Sequence, residues 1–133
     1  LDGRTLCSVR GTTSSDYVRE HYKGDITLKE YPRYSECVAA LLDGTVDAVT
    51  TDDLILAGYA SQEKYKGKLK VVGDGFTDER YGIGVEKGDQ ELVDQVNAAL
   101  EQYVDDGSWE AALRKSVGDS GYEIPDPPKP GTA

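Results

Sequence analysis

The sequence predicts an α/β fold with a mostly parallel sheet, and three observations carry that expectation. Short apolar or alternating runs of strand length alternate with apolar stripes at helical spacing. Gly, Asp, Ser and Thr cluster between these runs, where turns and helix caps need them. The composition, 38% hydrophobic and 30% charged over 133 residues, suits a folded water-soluble domain.

The elements follow in order. Thr5–Val9 alternates small or polar with apolar residues and reads as a strand; Arg10-Gly-Thr-Thr-Ser-Ser15 then turns and caps a helix over about Ser15–Tyr22. Gly24-Asp25 ends that helix, and Ile26–Tyr31 reads as the second strand. Ser35 is the expected N-cap of a helix striped by Val38, Leu41 and Leu42, which Asp43-Gly44 stops. Val46–Thr50 reads as a short strand, and Asp52-Asp53 opens a helix bearing Leu54, Ile55, Leu56 and Tyr59. Strands are expected again at Leu69–Val72 and Tyr81–Val85, the latter closed by the turn Lys87-Gly-Asp89. Leu92, Val93, Val96, Ala99, Leu100, Tyr103 and Val104 make a 3.6-residue stripe. Asp106-Gly-Ser108 breaks it and caps a last helix with Trp109, Ala112, Leu113 and Val117. The run from Pro125 is an extended tail, since Pro supplies no N–H to a helix or a ladder.

Charge and composition narrow the function. With 15 Lys+Arg against 25 Asp+Glu, the formal charge is −10, which argues against nucleic acid and against an anionic membrane surface. No apolar run approaches the roughly 18 residues of a membrane helix. The sequence holds no Met and shows no signal-peptide pattern, so a processed or excised product is expected. One His and two Cys leave little room for a metal cluster, and no cofactor is expected.

Two places suggest chemistry. The turn Arg10–Ser15 joins a strand to a helix start, where free N–H groups and the positive end of the helix dipole suit a carboxylate or phosphate. The hydroxyls of Thr12, Thr13 and Ser14 add donors; an ordinary cap without ligand is the plainer reading. The spacing is not that of a P-loop. Thr50-Thr-Asp-Asp53 stands at the carboxyl end of a strand, the edge where open α/β sheets bind ligands, and a carboxylate there can hold an ammonium. Helix capping explains the same two Asp residues equally well. An anion site and a carboxylate on neighbouring strand ends together suit a zwitterion, which lifts an amino acid above other small molecules. Cys7 and Cys37 are a disulfide, two buried thiols or a metal pair; the last lacks partners, and the disulfide is favoured, implying an oxidising, extracytoplasmic location. His21, on a surface helix without a flanking motif, reads as solvated rather than as a triad member. Glu20, Glu30 and Glu36 read as solvated too, and most of the nine Tyr as half-buried packing groups.

Four segments in order carry a resemblance: Cys7-Ser-Val-Arg-Gly-Thr-Thr-Ser14, Tyr34-Ser-Glu-Cys37, Gly44-Thr-Val-Asp-Ala-Val-Thr-Thr-Asp-Asp53 and Tyr81-Gly-Ile-Gly-Val-Glu-Lys-Gly-Asp89. From Leu1 to about Gly118 the chain resembles the polar-amino-acid solute-binding proteins of ABC importers, in particular the glutamate-binding lipoproteins of actinobacteria. The resemblance implies a type II periplasmic-binding-protein-like lobe, three-layer α/β/α, and ligand binding by closure of two lobes. It matches Thr12 and Thr13 to residues that bind the amino acid's α-carboxylate and Asp52 to the one that pairs with its α-ammonium. Thr51 takes a cleft-facing position, Arg10 stands near a position that reads the ligand side chain, and Cys7/Cys37 look like the disulfide of the glutamate-binding branch. It divides the chain into a second lobe over 1–77, a returning hinge strand over 78–89, C-terminal helices over 90–118 that pack on lobe one in the family, and a Pro-rich tail over 119–133.

The same resemblance implies what is missing. Family members exceed 200 residues, so most of lobe one, with the Arg that clamps the α-carboxylate, lies outside this sequence. The chain alone is expected to bind glutamate weakly or not at all. Its partners would be the amino acid, an ABC transporter permease, and lobe one or a second copy of the chain. The stripe Leu92, Val96, Leu100, Tyr103 with Trp109 and Leu113 is expected to pack on another chain, as a dimer exchanging the terminal helices, or to fold back on this lobe. The implied location is extracytoplasmic, lipid-anchored at the cell surface in the full-length protein or periplasmic. Two alternatives share the fold: a ligand-sensing domain of a signalling receptor, and a cyclohexadienyl-dehydratase-like enzyme acting on prephenate-like acids. The enzyme needs a cleft acid or base beyond Asp52, and the sequence offers none; no enzymatic activity is expected.

Overall fold

In the computed structural model, which describes residues 1–129, the chain runs β1 (Arg4–Val9), α1 (Thr13–His21), β2 (Ile26–Tyr31), α2 (Tyr34–Leu42), β3 (Ala48–Val49), α3 (Asp53–Ala60), α4 (Gln90–Asp105) and α5 (Ser108–Val117). A 3-10 turn, Gly118–Ser120, follows. Residues 130–133 of the expected tail lie outside the described residues.

The three strands form one parallel sheet in the order β2-β1-β3. Parallel neighbours require a crossover, and α1 and α2 provide the two. Leu6 pairs with Leu28 on one side and Ala48 on the other; Cys7 pairs with Lys29 and Val49. Successive strand residues face opposite sides, and this sorts the layers. Cys7 is disulfide-bonded to Cys37 of α2, with Cα atoms 5.7 Å apart, so that face carries α2. Cys7, Cys37, Ala40 and Val46 form its buried core, with Tyr31, Leu41 and Val49 packed around them. Leu6 faces the other way and lines a cavity together with Tyr17 and Val18 of α1. The result is the helix–sheet–helix layering expected.

Local chemistry explains most boundaries. Gly11 sits at φ +76° where β1 turns toward α1, a backbone that other residues rarely adopt. Thr12 then caps α1 by accepting from the Ser15 N–H at 3.3 Å. α2 stops at Asp43, followed by Gly44 at φ +79°. α4 starts at Asp89, whose side chain accepts from the Leu92 N–H at 2.9 Å.

Several expectations are corrected. Ser35 is not the cap of α2: Arg33, in extended backbone after Pro32, holds that place without a side-chain bond, and the helix starts at Tyr34. Val46–Thr50 yields a strand of only two residues. Leu69–Val72 and Tyr81–Val85, the expected returning strand within 78–89, are irregular. A strand-like pattern needs a neighbouring edge to pair with, and β3 offers two residues of ladder. Val72, Tyr81 and Ile83 are therefore 76%, 80% and 61% exposed. The C-terminal helices divide. α5 folds back onto α3 with Val117 fully buried, whereas α4 buries no residue despite its stripe. Six of the nine tyrosines are half-buried as expected; Tyr22, Tyr81 and Tyr103 are exposed.

Candidate functional site

Because β1 and β3 are adjacent and parallel, the turns that follow them leave the sheet at the same edge. Arg10–Thr13 and Thr50–Asp52 thus stand side by side at the carboxyl ends of the strands, where ligands bind in open α/β sheets. The junctions are braced from beneath: Ser8 Oγ donates to the Thr50 carbonyl at 3.0 Å, and the Thr50 N–H donates to the Cys7 carbonyl at 2.9 Å.

The two threonines at the α1 start do different work. Thr12 Oγ1 donates to the Val9 carbonyl at 2.8 Å and accepts from the Ser15 N–H and from the Tyr34 hydroxyl at 3.3 Å. That hydroxyl is committed to the cap, which corrects its expected role as a spare donor. Thr13 is exposed, and its hydroxyl donates to Glu79 at 3.3 Å. The Thr13 and Ser14 N–H groups lie in the first turn, where a helix has no acceptor of its own to offer.

Asp52 ends the β3 junction as the N-cap of α3, yet its side chain makes no capping bond. Its neighbour Asp53 bonds the Leu54 N–H and accepts from the Tyr122 hydroxyl at 3.0 Å. Burial pushes the Asp52 carboxyl above its ordinary range, and the negative charges of Glu79 and Asp53 add to that. A carboxylate held so is poised to gain from a cation. Thr51 and Asp52 line an open cavity of about 990 Å³, together with Tyr17 of α1, segment 71–79 and Trp109 of α5. Arg10, Thr12 and Thr13 stand on the same edge outside its lining. Arg10 is exposed and contributes to the field on Glu30.

Other side chains at this edge escaped the sequence reading. Glu30 is not merely solvated: it accepts from Ser15 Oγ and from Arg19, each at 2.6 Å. The Ser15 bond, then Arg19 and Arg10, hold its carboxyl below the ordinary range. Ser15 is fully buried, so this group ties the first turn of α1 to β2. Glu36 stays on the surface side, 3.7 Å from Arg33. His21 is exposed, stacked on Tyr17 at 4.4 Å, with Nδ1 3.1 Å from the Tyr17 carbonyl. Among the described residues there is no cluster of three or more potential metal ligands. No helix among them is long and apolar enough to cross a membrane.

An α/β lobe with a parallel sheet is the fold of the periplasmic amino-acid-binding proteins. An ancestral arginine-binding protein bound to arginine superposes with a TM-score of 0.67 at 33% identity, over 88% of this chain and 51% of that one. The GluR0 ligand-binding core from Nostoc punctiforme, in complex with L-glutamate, gives 0.68 at 29%, over 90% and 53%. The chain is homologous over nearly its whole length to amino-acid-binding proteins of the glutamate-binding kind: it is 44% identical over 128 residues to the glutamate-binding protein GluB of Corynebacterium glutamicum, covering 92% of this chain and 42% of GluB. The ABC transporter glutamine-binding protein GlnH of Bacillus subtilis is 36% identical over 86% of the chain and 41% of its own length. The chain thus spans less than half the length of these curated relatives. They are named as binding proteins rather than enzymes. No protein-family profile matches the sequence.

Proposed function

We propose that this chain forms the second lobe of an extracytoplasmic amino-acid-binding protein serving an ABC importer, with glutamate or a similar amino acid as ligand. The observation that carries the reading is the shared edge of β1 and β3, which sets a helix start beside a carboxylate that caps nothing. Thr13 with the first N–H groups of α1 receives the α-carboxylate, Thr12 shapes that turn, and Asp52 pairs with the α-ammonium. Thr51 faces the ligand, and Arg10 reads its side chain. The net charge of −10 does nothing to attract an acidic ligand, so these local groups must.

Residues 1–77 are the lobe proper, 78–89 the connection returning to lobe one, and of the helices within 90–118 α4 is the one left to pack there, since α5 lies on α3. Lobe one, or a second copy of the chain, completes the enclosure, and a permease receives the loaded protein. The full-length protein is lipid-anchored at the cell surface or periplasmic. The match to a ligand-binding core holding L-glutamate also suits a sensing domain, which a membrane helix encoded beyond this segment would favour.

Saturation-transfer NMR with L-glutamate tests the site. Asp52→Asn and Thr13→Val should each abolish the transfer seen with the unaltered chain. Transfer that survives both substitutions would overturn the assignment.

A further inference from the structure

Segment 73–80 lies over the ligand edge rather than away from it. Phe76 stacks on Tyr17 of α1, ring centroids 5.5 Å apart. Three residues on, Glu79 accepts from Thr13 Oγ1 at 3.3 Å with one carboxylate oxygen and from Thr77 Oγ1 at 3.2 Å with the other. The Glu79 charge also reaches Asp52, the other polar anchor of the edge. A carboxylate beside the first turn of a helix, bonded to its hydroxyl, is the arrangement that the α-carboxylate of an amino acid would adopt there.

We propose that Glu79 stands in for the ligand's carboxylate, so that an amino acid must displace it to bind. This rests on the ligand edge proposed above. Two consequences follow from the chemistry. Thr13 Oγ1 has one proton to donate, so Glu79 and a ligand carboxylate cannot both accept it. The Glu79 charge repels any incoming carboxylate, and Phe76 on Tyr17 holds the segment at the edge where that repulsion is felt. Because every α-amino acid brings a carboxylate, the competition does not discriminate among side chains. It sets a common threshold that a ligand must exceed, and selectivity is left to groups such as Arg10.

The test is an amide-shift titration of the full chain with L-glutamate and, separately, L-glutamine, comparing the unaltered protein with Glu79→Ala and Glu79→Gln. Removing one exposed, competing charge should tighten both ligands by about 2- to 5-fold in each variant. Amide exchange over residues 76–80 should also rise in Glu79→Ala without any ligand. Binding by the unaltered chain with no gain in either variant overturns the role of Glu79 and leaves the ligand edge standing. Unchanged exchange over 76–80 overturns it as well. No binding of either amino acid by any of the three proteins overturns the ligand edge itself, and the Glu79 proposal with it.

Discussion

The first 60 residues and the stretch from 69 to 85 have similar raw material and opposite outcomes. Both contain strand-length runs of apolar residues. In the first, each strand is followed by a helix, α1 and α2 return the chain to the sheet, and Cys7, Cys37, Ala40 and Val46 close over one another. In the second no strand forms, and Val72, Tyr81 and Ile83 remain largely in water. Local pattern proposes a strand, but only a partner edge at the right register stabilises one. The contrast repeats between the C-terminal helices, where α5 packs on α3 and buries Val117 while α4 buries no residue.

Substitutions should expose the difference, most strongly at the disulfide. Replacing Cys7 and Cys37 by Ser releases a closure of 30 residues and should cost about 3–4 kcal/mol in denaturant unfolding. A loss below about 1 kcal/mol would mean that the first 60 residues do not depend on that staple. Leu6→Ala, on the buried face of β1, should cost about 2–3 kcal/mol in the same assay. Ile83→Ala, the matching change in the irregular stretch, should stay within about 0.5 kcal/mol. Equal costs for the two would erase the distinction between the regions.

Acid should act on the first region as well. The Glu30 carboxyl lies below its ordinary 4.5, so its contribution is complete above that value and lost as pH falls through the lowered one. Asp47, held below its ordinary 3.8 first by the Thr5 N–H and then by Arg4, acts with the same sign. Thermal unfolding from about pH 5 to about pH 3 should show a falling Tm, with a shallower fall in Ser15→Ala, which removes the main cause of the Glu30 shift.

The smallest effect has the opposite sign. Burial raises the Asp52 carboxyl above its ordinary 3.8, so its cost appears as pH rises past that value and is complete above the raised one. Asp52→Asn should therefore raise Tm by about 1–3 °C at neutral pH, and not in acid, while losing the ammonium site. A drop in Tm at neutral pH would show that Asp52 serves the fold rather than a ligand.

Much of the ordered region was legible in the sequence. Ile26–Tyr31 falls as expected, and the Gly44 stop and the Gly107 break hold, because each rests on a residue whose conformational needs are local. The adjacency of the Thr13 and Asp52 turns was also foreseeable, since alternating strands and helices imply parallel neighbours. Ser35 misled because a good capping side chain yields to a chain already extended after Pro32. Thr12 was identified, but not that its hydroxyl would be consumed by Val9, Ser15 and Tyr34. Glu30 and Glu79 were not legible as site residues. Glu30 meets Ser15 across a crossover, and Glu79 meets Thr13 from 66 residues away in a segment with no period.

As proposed, this chain carries one face of an amino-acid site and too little of the other to hold a ligand tightly. A titration with L-glutamate, followed by the shifts of individual amides, tests it most directly. Saturable shifts centred on Thr12, Thr13, Thr51 and Asp52 are expected, with an affinity far weaker than micromolar. Micromolar binding, or shifts centred away from those four residues, would contradict it.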